Sequence, residues 1–350
     1  MRELKYFEAL REATDQCMER DSSVYLMGLG VPDPKGIFGT TAGLLKKYGK
    51  NRVLDMPTAE NGMTGVAIGT ALMGMRPIMT HQRVDFALLA LEQIVNQAAK
   101  WYYMNDGQMH VPLVIRMIVG RGWGQGPQHA QSLESWFAHI PGLKVVMPAN
   151  PYDAKGLMIS SIEDNNPVIF LENRWLHNIY GDVPQEYYKV PIGKARIARE
   201  GRDLTIVTHS YMVLESLRAA DILASGGIDA EVIDLRTLRP LDHTTVLDSV
   251  KKTGNLLVVD HGWIHYGVSA EIIAMVSEQI WDCLKSPPRR MGVADVPIPS
   301  SRSLAQYCYP RSADVVKMVA EMLHKPMDQF KIEISEIPSD IPDRSFTGPF

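Results

Sequence analysis

The 350-residue sequence predicts an α/β protein made of two doubly wound domains. Short apolar runs alternate with amphipathic stretches in both halves, as in parallel sheets covered by helices. Hydrophobic residues make up 45% of the chain, which is enough for two cores at this length. Residues 174–202 interrupt the alternation with glycines, prolines and charges, which indicates the connection between the domains.

The first domain is predicted to begin with a helix over 3–20, whose charges are unlike those of a signal peptide. Short apolar runs then mark strands, and longer small-residue or amphipathic runs mark helices. Strands are predicted at 24–27, 52–55, 76–79, 111–116, 143–147 and 168–171, and helices at 62–74, 87–104 and 153–163. This order predicts a first domain at 1–185 and a linker at 186–202.

The second domain, predicted at 203–325, repeats the alternation of strands and helices. Strands are predicted at 204–207, 230–234 and 255–259, and helices at 211–225, 244–252, 267–283 and 313–323. Residues 326–350 are rich in Pro, Asp, Glu and Ser, so we expect an extended tail that packs on a surface without a core of its own.

Composition argues against several classes of function. The net charge of −4 comes without a basic stripe, so a general nucleic-acid binder is not expected. No apolar run approaches the ~18 residues of a membrane span. The cysteines Cys17, Cys283 and Cys308 are far apart and lack CxxC spacing, so neither a disulfide framework nor a zinc site is indicated. We expect reduced thiols and a cytoplasmic location.

Glu60 is the first candidate for chemistry. It stands directly before the glycine-punctuated apolar run at 62–74. A carboxylate in this place suits a placed acid or base. Helix capping explains it equally well, because acidic residues favour the first turn of a helix. Neither phosphate-loop pattern, GxGxxG or GxxxxGK[ST], occurs in the sequence, which suggests half of an active site completed by another polypeptide.

His129 is the second candidate. It ends a glycine-rich loop at 121–129 that follows the predicted strand at 111–116. Loops at the carboxyl ends of parallel strands line the ligand crevice of such sheets. A histidine there suits proton transfer, and a surface or helix-capping histidine is the alternative.

Together these segments resemble the beta subunit of the thiamine-diphosphate-dependent 2-oxoacid dehydrogenases (pyruvate, branched-chain 2-oxoacid and acetoin types), within the transketolase-like superfamily. The resemblance covers residues 3–323. It implies an N-terminal pyrimidine-binding domain and a C-terminal transketolase-type domain. The matching motifs lie at 57–62, 74–77, 93–100, 128–132, 141–146, 153–157, 163–168, 190–195, 231–240 and 294–299.

The resemblance also implies roles for individual residues. Glu60 would hydrogen-bond N1′ of the cofactor's aminopyrimidine, Phe86 would stack on that ring, and Gln82 would lie near the cofactor. His129 would be the active-site histidine that steers protons or assists transfer to a lipoyl group. A potassium site, formed mostly by backbone oxygens, is implied at Leu113, Ser161, Ile162, Asp164 and Asn166.

A partner subunit follows from the same resemblance. The family holds the cofactor's diphosphate and Mg²⁺ with a Gly-Asp-Gly motif of the alpha subunit, and this sequence contains no Gly-Asp-Gly. An α2β2 heterotetramer is therefore expected. The implied activity is decarboxylation of a 2-oxoacid and reductive acylation of a lipoyl group on a separate acyltransferase. The alternatives are a transketolase-like carboligase with an aldehyde or sugar acceptor, and a non-catalytic scaffold, against which the full set of site residues argues.

One segment departs from the family pattern. Members typically carry a carboxylate near position 80 and an apolar or aromatic residue near position 83, whereas this chain has Thr80, His81 and Arg83. One hypothesis is that these polar or cationic groups recognise a substrate with an extra anionic or polar group. The alternative is that they point at the alpha subunit.

Overall fold

The computed structural model describes residues 2–120, 124–332 and 341–342. Within these ranges the strands form a seven-stranded sheet, a five-stranded sheet and a two-stranded ribbon. Residues 121–123 of the glycine-rich loop and most of the predicted tail lie outside the described residues. In the ranges given, no helix combines the length and the apolar character that crossing a bilayer requires.

The first half of the chain alternates strands and helices, as predicted. The strands are β1 (Arg2–Lys5), β2 (Val24–Met27), β3 (Val53–Leu54), β4 (Arg76–His81), β5 (Val114–Val119), β6 (Lys144–Val146), β7 (Val168–Asn173) and β8 (Tyr180–Val183). The helices are α1 (Tyr6–Arg20), α2 (Leu44–Tyr48), α3 (Glu60–Leu72), α4 (Val84–Ala87), α5 (Trp101–Met104), α6 (Gly126–His129), α7 (Glu134–His139) and α8 (Pro151–Glu163).

The second half continues the pattern. Its strands are β9 (Arg196–Arg199), β10 (Leu204–Thr208), β11 (Ala230–Asp234), β12 (Thr237–Arg239), β13 (Leu256–Trp263) and β14 (Arg289–Val293). Its helices are α9 (Met212–Ser225), α10 (His243–Thr253), α11 (Val268–Ile280), α12 (Arg302–Ala305) and α13 (Ser312–Met322). Short 3₁₀ turns occur at Arg174–Leu176, Trp281–Cys283 and Met327–Gln329.

The two large sheets have the mainly parallel topology of doubly wound folds. The strand order is β12-β6-β7-β5-β4-β2-β3 in the first sheet and β14-β13-β10-β11-β9 in the second. The edge strands β12 and β9 pair antiparallel with their neighbours, and the other pairs in these sheets are parallel. Strand β12 belongs to the predicted second domain but completes the first sheet. A hydrophobic pattern alone could not show this, since it does not specify a strand's partner.

The helix predicted at 87–104 is a broken helical run. It consists of α4, a 3₁₀ turn at Leu88–Ala90, a π-helical segment at Gln93–Ala98, and α5. This run packs on α3, where Gly65 leaves room for the side chain of Gln93. A Cβ added at Gly65 would lie 3.2 Å from Gln93 Oε1. The glycine therefore permits close packing of the two helical segments.

Two predicted boundaries shifted for physical reasons. The first predicted helix begins at Tyr6, because residues 2–5 pair antiparallel with β8. Strand β7 extends past its predicted end to Glu172 and Asn173, which are polar but fully buried. Glu172 stays in the core because it bonds Arg116 Nε at 2.7 Å and His177 Nε2 at 3.1 Å. Buried charges persist when they are paired in this way.

Candidate active site

The candidate site residues of the first domain follow three neighbouring strands. Glu60 lies six residues after β3, Gln82 directly follows β4, and the loop that ends at His129 follows β5. Strands β3, β2, β4 and β5 are parallel neighbours in the sheet. Their carboxyl ends therefore share one edge, the position where ligands bind in open α/β sheets. We call this edge, with Glu60, Gln82, Phe86 and His129, the open edge.

Glu60 is the first residue of α3 and is only 6% exposed. Among the described residues, none donates a hydrogen bond to its side chain. One helical turn further on, Thr64 Oγ1 contacts His81 Nε2 at 3.4 Å. Because residues four apart share a helix face, this contact turns the Glu60 face of α3 toward the end of β4. The carboxylate is buried, oriented and still available to a donor.

Phe86 and His129 are in direct contact. Their ring centroids are 5.5 Å apart with a tilt of 48°. His129 Nδ1 lies 2.7 Å from Asp85 Oδ2. The Phe86 residue is 36% exposed and the His129 side chain is 39% exposed, whereas the Asp85 side chain is 10% exposed. A mostly buried carboxylate thus orients a partly exposed histidine, an arrangement suited to proton transfer.

Gln82 joins two loops of the open edge. Its Nε2 donates to the carbonyl of Leu29 at 3.1 Å, which fixes the loop after β2 against the end of β4. Gly30 occupies the adjoining position with a φ of +72°, and an added Cβ there would lie 3.2 Å from Gln82 Nε2. The side chain of Gln82 is therefore held beside the open edge in one orientation.

The unusual pair His81 and Arg83 lies inside the chain, 3% and 5% exposed. Burial lowers the pKa of His81 to about 4, so this histidine is neutral near pH 7. Burial also lowers the pKa of Arg83 to about 10, against the opposing effect of the Asp85 charge, so Arg83 stays cationic. Its Nη1 donates to the carbonyl of His129 at 2.8 Å. The two side chains therefore brace the site from within, and the two hypotheses on their recognition of a substrate or an alpha subunit stay predictions.

The potassium positions lie at the opposite edge of the sheet, where β5 and β7 begin. Arg76 Nη1 donates to the carbonyls of Ile162 and Asp164, each at 3.0 Å. The Asp164 carboxylate is paired with Lys144. Two fixed cations therefore already contact this turn.

The other three positions are also engaged through ordinary hydrogen bonds. The Leu113 carbonyl accepts from Val168 N at 2.9 Å and the Ser161 carbonyl from Asp164 N at 3.4 Å. The amide N–H of Asn166 donates to Asp164 Oδ1 at 2.9 Å. Each carbonyl oxygen keeps a second lone pair, so potassium binding here stays a prediction.

Asp85 is the site residue that sequence reasoning missed. The available signal was an acid directly before the aromatic Phe86, in a segment that already departed from the family pattern. The spatial pairing with His129, 44 residues away, could not be inferred from spacing.

Comparison with known proteins supports the class indicated by the fold and the open edge. Residues 2–178 match the family model for the transketolase pyrimidine-binding domain, and residues 193–315 match that for the transketolase C-terminal domain. A solved structure described as a split-gene transketolase, inactive beta4 tetramer, superposes with a TM-score of 0.75 over 91% of this chain and 97% of that chain. Its identity is 21%. The chain is thus a two-domain protein of the transketolase type, which confirms the predicted fold class.

Three relatives narrow the class. The chain is 43% identical over 320 residues to the mitochondrial pyruvate dehydrogenase E1 component subunit beta-2 of Oryza sativa subsp. japonica, covering 90% of this chain and 85% of that protein. It is 43% identical to the E1 beta subunit of Rickettsia felis (91% and 97% covered) and 41% identical to that of Bos taurus (91% and 90% covered). The chain belongs to the family of pyruvate dehydrogenase E1 component beta subunits, and the predicted family is confirmed.

Proposed function

We propose that this chain supplies the half of a 2-oxoacid dehydrogenase active site that binds and activates the aminopyrimidine of thiamine diphosphate. One observation carries this proposal. Glu60 is a buried carboxylate without a donor among the described residues, at the carboxyl edge of a parallel sheet. Phe86 and His129 lie partly exposed on the same edge.

The residues fit the pyrimidine end of the cofactor. Glu60 can accept a hydrogen bond from a protonated ring nitrogen, and the exposed part of the Phe86 ring offers a stacking surface. When bound, thiamine diphosphate supplies the carbon nucleophile and the electron sink that decarboxylation of a 2-oxoacid requires. In this proposal Glu60 holds the proton at N1′ of the aminopyrimidine. A buried site favours such a bond, since it excludes competing water.

His129 is proposed to move protons at the substrate. Asp85 fixes its Nδ1 side, which leaves Nε2 to face the open edge. Arg83 holds the backbone of the same residue through the His129 carbonyl. We therefore interpret Asp85 and Arg83 as positioning residues for a histidine that gives or takes a proton.

The alpha subunit remains part of the proposal. This sequence contains no Gly-Asp-Gly motif for the diphosphate and Mg²⁺. Helix α3, which begins at Glu60, also presents an exposed face of small and apolar residues. They are spaced three or four positions apart, as one helix face requires: Gly62, Val66, Gly69 and Met73. Such a face permits close packing by a partner, and an α2β2 assembly would bring the missing half of the site to Glu60.

The reaction and substrate are proposed from the relatives. Their names indicate pyruvate as the first 2-oxoacid to test. The acceptor, a lipoyl group on an acyltransferase, is proposed from the family resemblance. The carboligase alternative is not favoured by these relatives. Potassium at the opposite edge and a cytoplasmic location complete the proposal. The location is supported by three cysteines that are free thiols.

Glu60→Gln in the assembled enzyme tests the proposal. Without the carboxylate, turnover of pyruvate is expected to fall at least about 100-fold, since general acid–base groups typically contribute that much. The measurement is decarboxylation by this chain co-purified with its alpha subunit, with a lipoyl acceptor. The matched control is Glu278→Gln, on an exposed helix position, which should leave turnover unchanged.

Two outcomes would contradict the proposal. Full activity of Glu60→Gln would remove Glu60 from the site. Turnover of a 2-oxoacid with an aldehyde, at equal rates with and without the lipoyl acceptor, would instead support a carboligase.

A further inference from the structure

A second cluster of titratable side chains lies at the carboxyl ends of the other sheet. His209 directly follows β10, and Asp260 lies in β13. The parallel register pairs Thr208 with Val259, so the next residues of the two strands, His209 and Asp260, are side by side. Glu134, the first residue of α7 in the first domain, faces them from across the domain boundary. We call this region the closed edge.

The three side chains are buried but not bonded to one another. Glu134, His209 and Asp260 are 2%, 1% and 1% exposed. His209 Nε2 lies 3.8 Å from Asp260 Oδ1 and 3.9 Å from Glu134 Oε1. These distances exceed those of hydrogen bonds. Within the described part of the chain, both Glu134 oxygens and His209 Nε2 have no hydrogen-bond partner.

Buried polar groups without hydrogen-bond partners destabilise the folded protein. Burying a carboxylate costs several kcal/mol unless positive charge balances it, and this cluster buries two carboxylates against the imidazoles of His209 and His261. Asp260 is only partly compensated, since Oδ1 accepts from Gly262 N at 3.2 Å and Oδ2 from Ser269 N at 2.8 Å. A metal cation between the three side chains would balance the charge of both carboxylates.

The spacing and the chemistry of the donors suit a transition metal. A divalent ion about 2.0–2.2 Å from each donor bridges pairs that are up to roughly 4 Å apart. One imidazole nitrogen with carboxylate oxygens is a donor set for Zn²⁺, Mn²⁺ or Co²⁺. Mg²⁺ and Ca²⁺ are disfavoured, because they prefer oxygen ligands throughout. The hydrogen bonds that the backbone N–H groups of Gly262 and Ser269 donate to Asp260 fix the orientation of this carboxylate, as hydrogen bonds around a metal site do for the metal ligands.

His261 supports the same cluster from behind. Its Nδ1 lies 3.2 Å from Ser132 Oγ and 3.4 Å from Glu134 Oε1, and its Nε2 lies against the amide nitrogen of Asn173. The ring is therefore fixed on both sides. The His261 ring contacts the Glu134 carboxylate, whereas His209 is the nitrogen donor that faces both carboxylates.

An entry path reaches the carboxylates. Glu134 and Asp260 line a cleft of about 1580 Å³ between the two domains, together with Gly262 and Gly267. An added Cβ at Gly262 would lie 2.7 Å from Glu134 Oε1, and one at Gly267 would lie 2.5 Å from Asp260 Oδ2. The glycines thus leave the approach to both oxygens free of side chains.

We propose that Glu134, His209 and Asp260 bind one divalent transition-metal ion that joins the two domains at the closed edge. Two carboxylates and a neutral imidazole would balance the charge of the ion. The site is separate from the open edge, so the proposal does not depend on the cofactor chemistry proposed above.

Metal analysis of the full-length chain, co-purified with its partner subunit, tests the proposal. After dialysis against Zn²⁺ or Co²⁺, about one tightly held equivalent per chain is expected, with the visible absorption of Co²⁺ bound by protein nitrogen and oxygen. Glu134→Gln and His209→Gln should each weaken Co²⁺ binding about tenfold or more. His265→Gln, an exposed histidine that lines the same cleft, is the matched control and should bind as wild type does.

Absence of uptake by wild type is decisive even where a variant fails to fold, whereas uptake is assigned to this site through the variants. Wild-type protein that takes up no Co²⁺ or Zn²⁺ would overturn the proposal, and so would equal Co²⁺ binding by folded wild type and His209→Gln. A rise in the thermal midpoint with Co²⁺, present in wild type and His265→Gln but absent in Glu134→Gln, would support it.

Discussion

The two sheets present the same kind of edge to different surroundings. At the open edge, the Phe86 residue and the His129 side chain are more than one-third exposed. At the closed edge, His209 and Asp260 are 1% exposed. Both edges gather polar side chains at the carboxyl ends of parallel strands, as doubly wound folds dictate. The two edges differ in solvent exposure, because Glu134 and the rest of α7 from the first domain pack over the closed edge.

This contrast explains what each edge can do. A covered edge holds charged groups in a fixed, nearly dry arrangement, where an unbalanced charge is costly. An uncovered edge leaves Phe86 and His129 accessible to a substrate, a cofactor or a second subunit. We therefore propose catalysis at the open edge and a structural ion at the closed edge.

The largest expected effect on stability tests how tightly the closed edge is packed. Gly120 has a φ of +64°, and an added Cβ would lie 2.6 Å from His261 Cε1 and 2.9 Å from Ser132 Oγ. Gly120→Ala should cost about 1–2 kcal/mol for its backbone conformation and about 1–3 kcal/mol more for overpacking. Urea unfolding followed by circular dichroism measures the loss.

Gly124→Ala is the matched control for that experiment. Gly124 has nearly the same φ, +65°, but an added Cβ would meet no atom of the described residues within 4 Å. It should show the backbone cost alone. Equal losses for the two variants would mean that the closed edge adapts to an extra methyl group.

Acid should lower the free energy of unfolding through protonation of His81, which lies at the open edge. Burial lowers its pKa from 6.5 to about 4, so the unfolded chain binds the proton more tightly than the folded protein. The stability from this group is complete above pH 6.5 and is lost as the pH falls toward about 4. The loss amounts to about 3 kcal/mol. His81→Phe should remove this loss, which urea unfolding across that pH range measures. An unchanged acid dependence would contradict it.

The closed edge should respond to pH in the opposite direction, through Asp234 at the end of β11. Burial and the nearby Asp153 charge raise the pKa of Asp234 from 3.8 to about 6. Its contribution is complete below pH 3.8 and is lost as the pH rises through about 6, again by about 3 kcal/mol. As the pH rises, wild type should lose unfolding free energy that Asp234→Asn keeps, so the difference between the two should shift in favour of the variant. Parallel curves would contradict the burial of this acid.

The smallest effect is expected for Asp85→Asn at the open edge. The variant keeps the size of the side chain but removes the carboxylate that lies 2.7 Å from His129 Nδ1. We expect kcat of the assembled enzyme to fall about tenfold with little change in KM, because His129 loses its orientation. The exposed Asp248→Asn serves as control. A changed KM with normal kcat would assign Asp85 to substrate binding instead.

The sequence by itself determined the local elements, the fold class and the family. Periodicity placed most strands and helices within a few residues, because apolar spacing reports which face of an element is buried. The motif around Glu60 and the missing Gly-Asp-Gly predict half of an active site.

Only the tertiary structure decided which distant polar residues meet. In the sequence, Glu134, Asp260 and Glu172 look like surface acids, yet all three are buried and face charged or polar partners. The same holds for β12, which joins the first sheet although β11, the strand directly before it in the chain, lies in the second. Local pattern records the preference of each segment for a buried or exposed face. It does not record the long-range pairings that stabilise a buried charge. Those pairings distinguish the closed edge from the open edge.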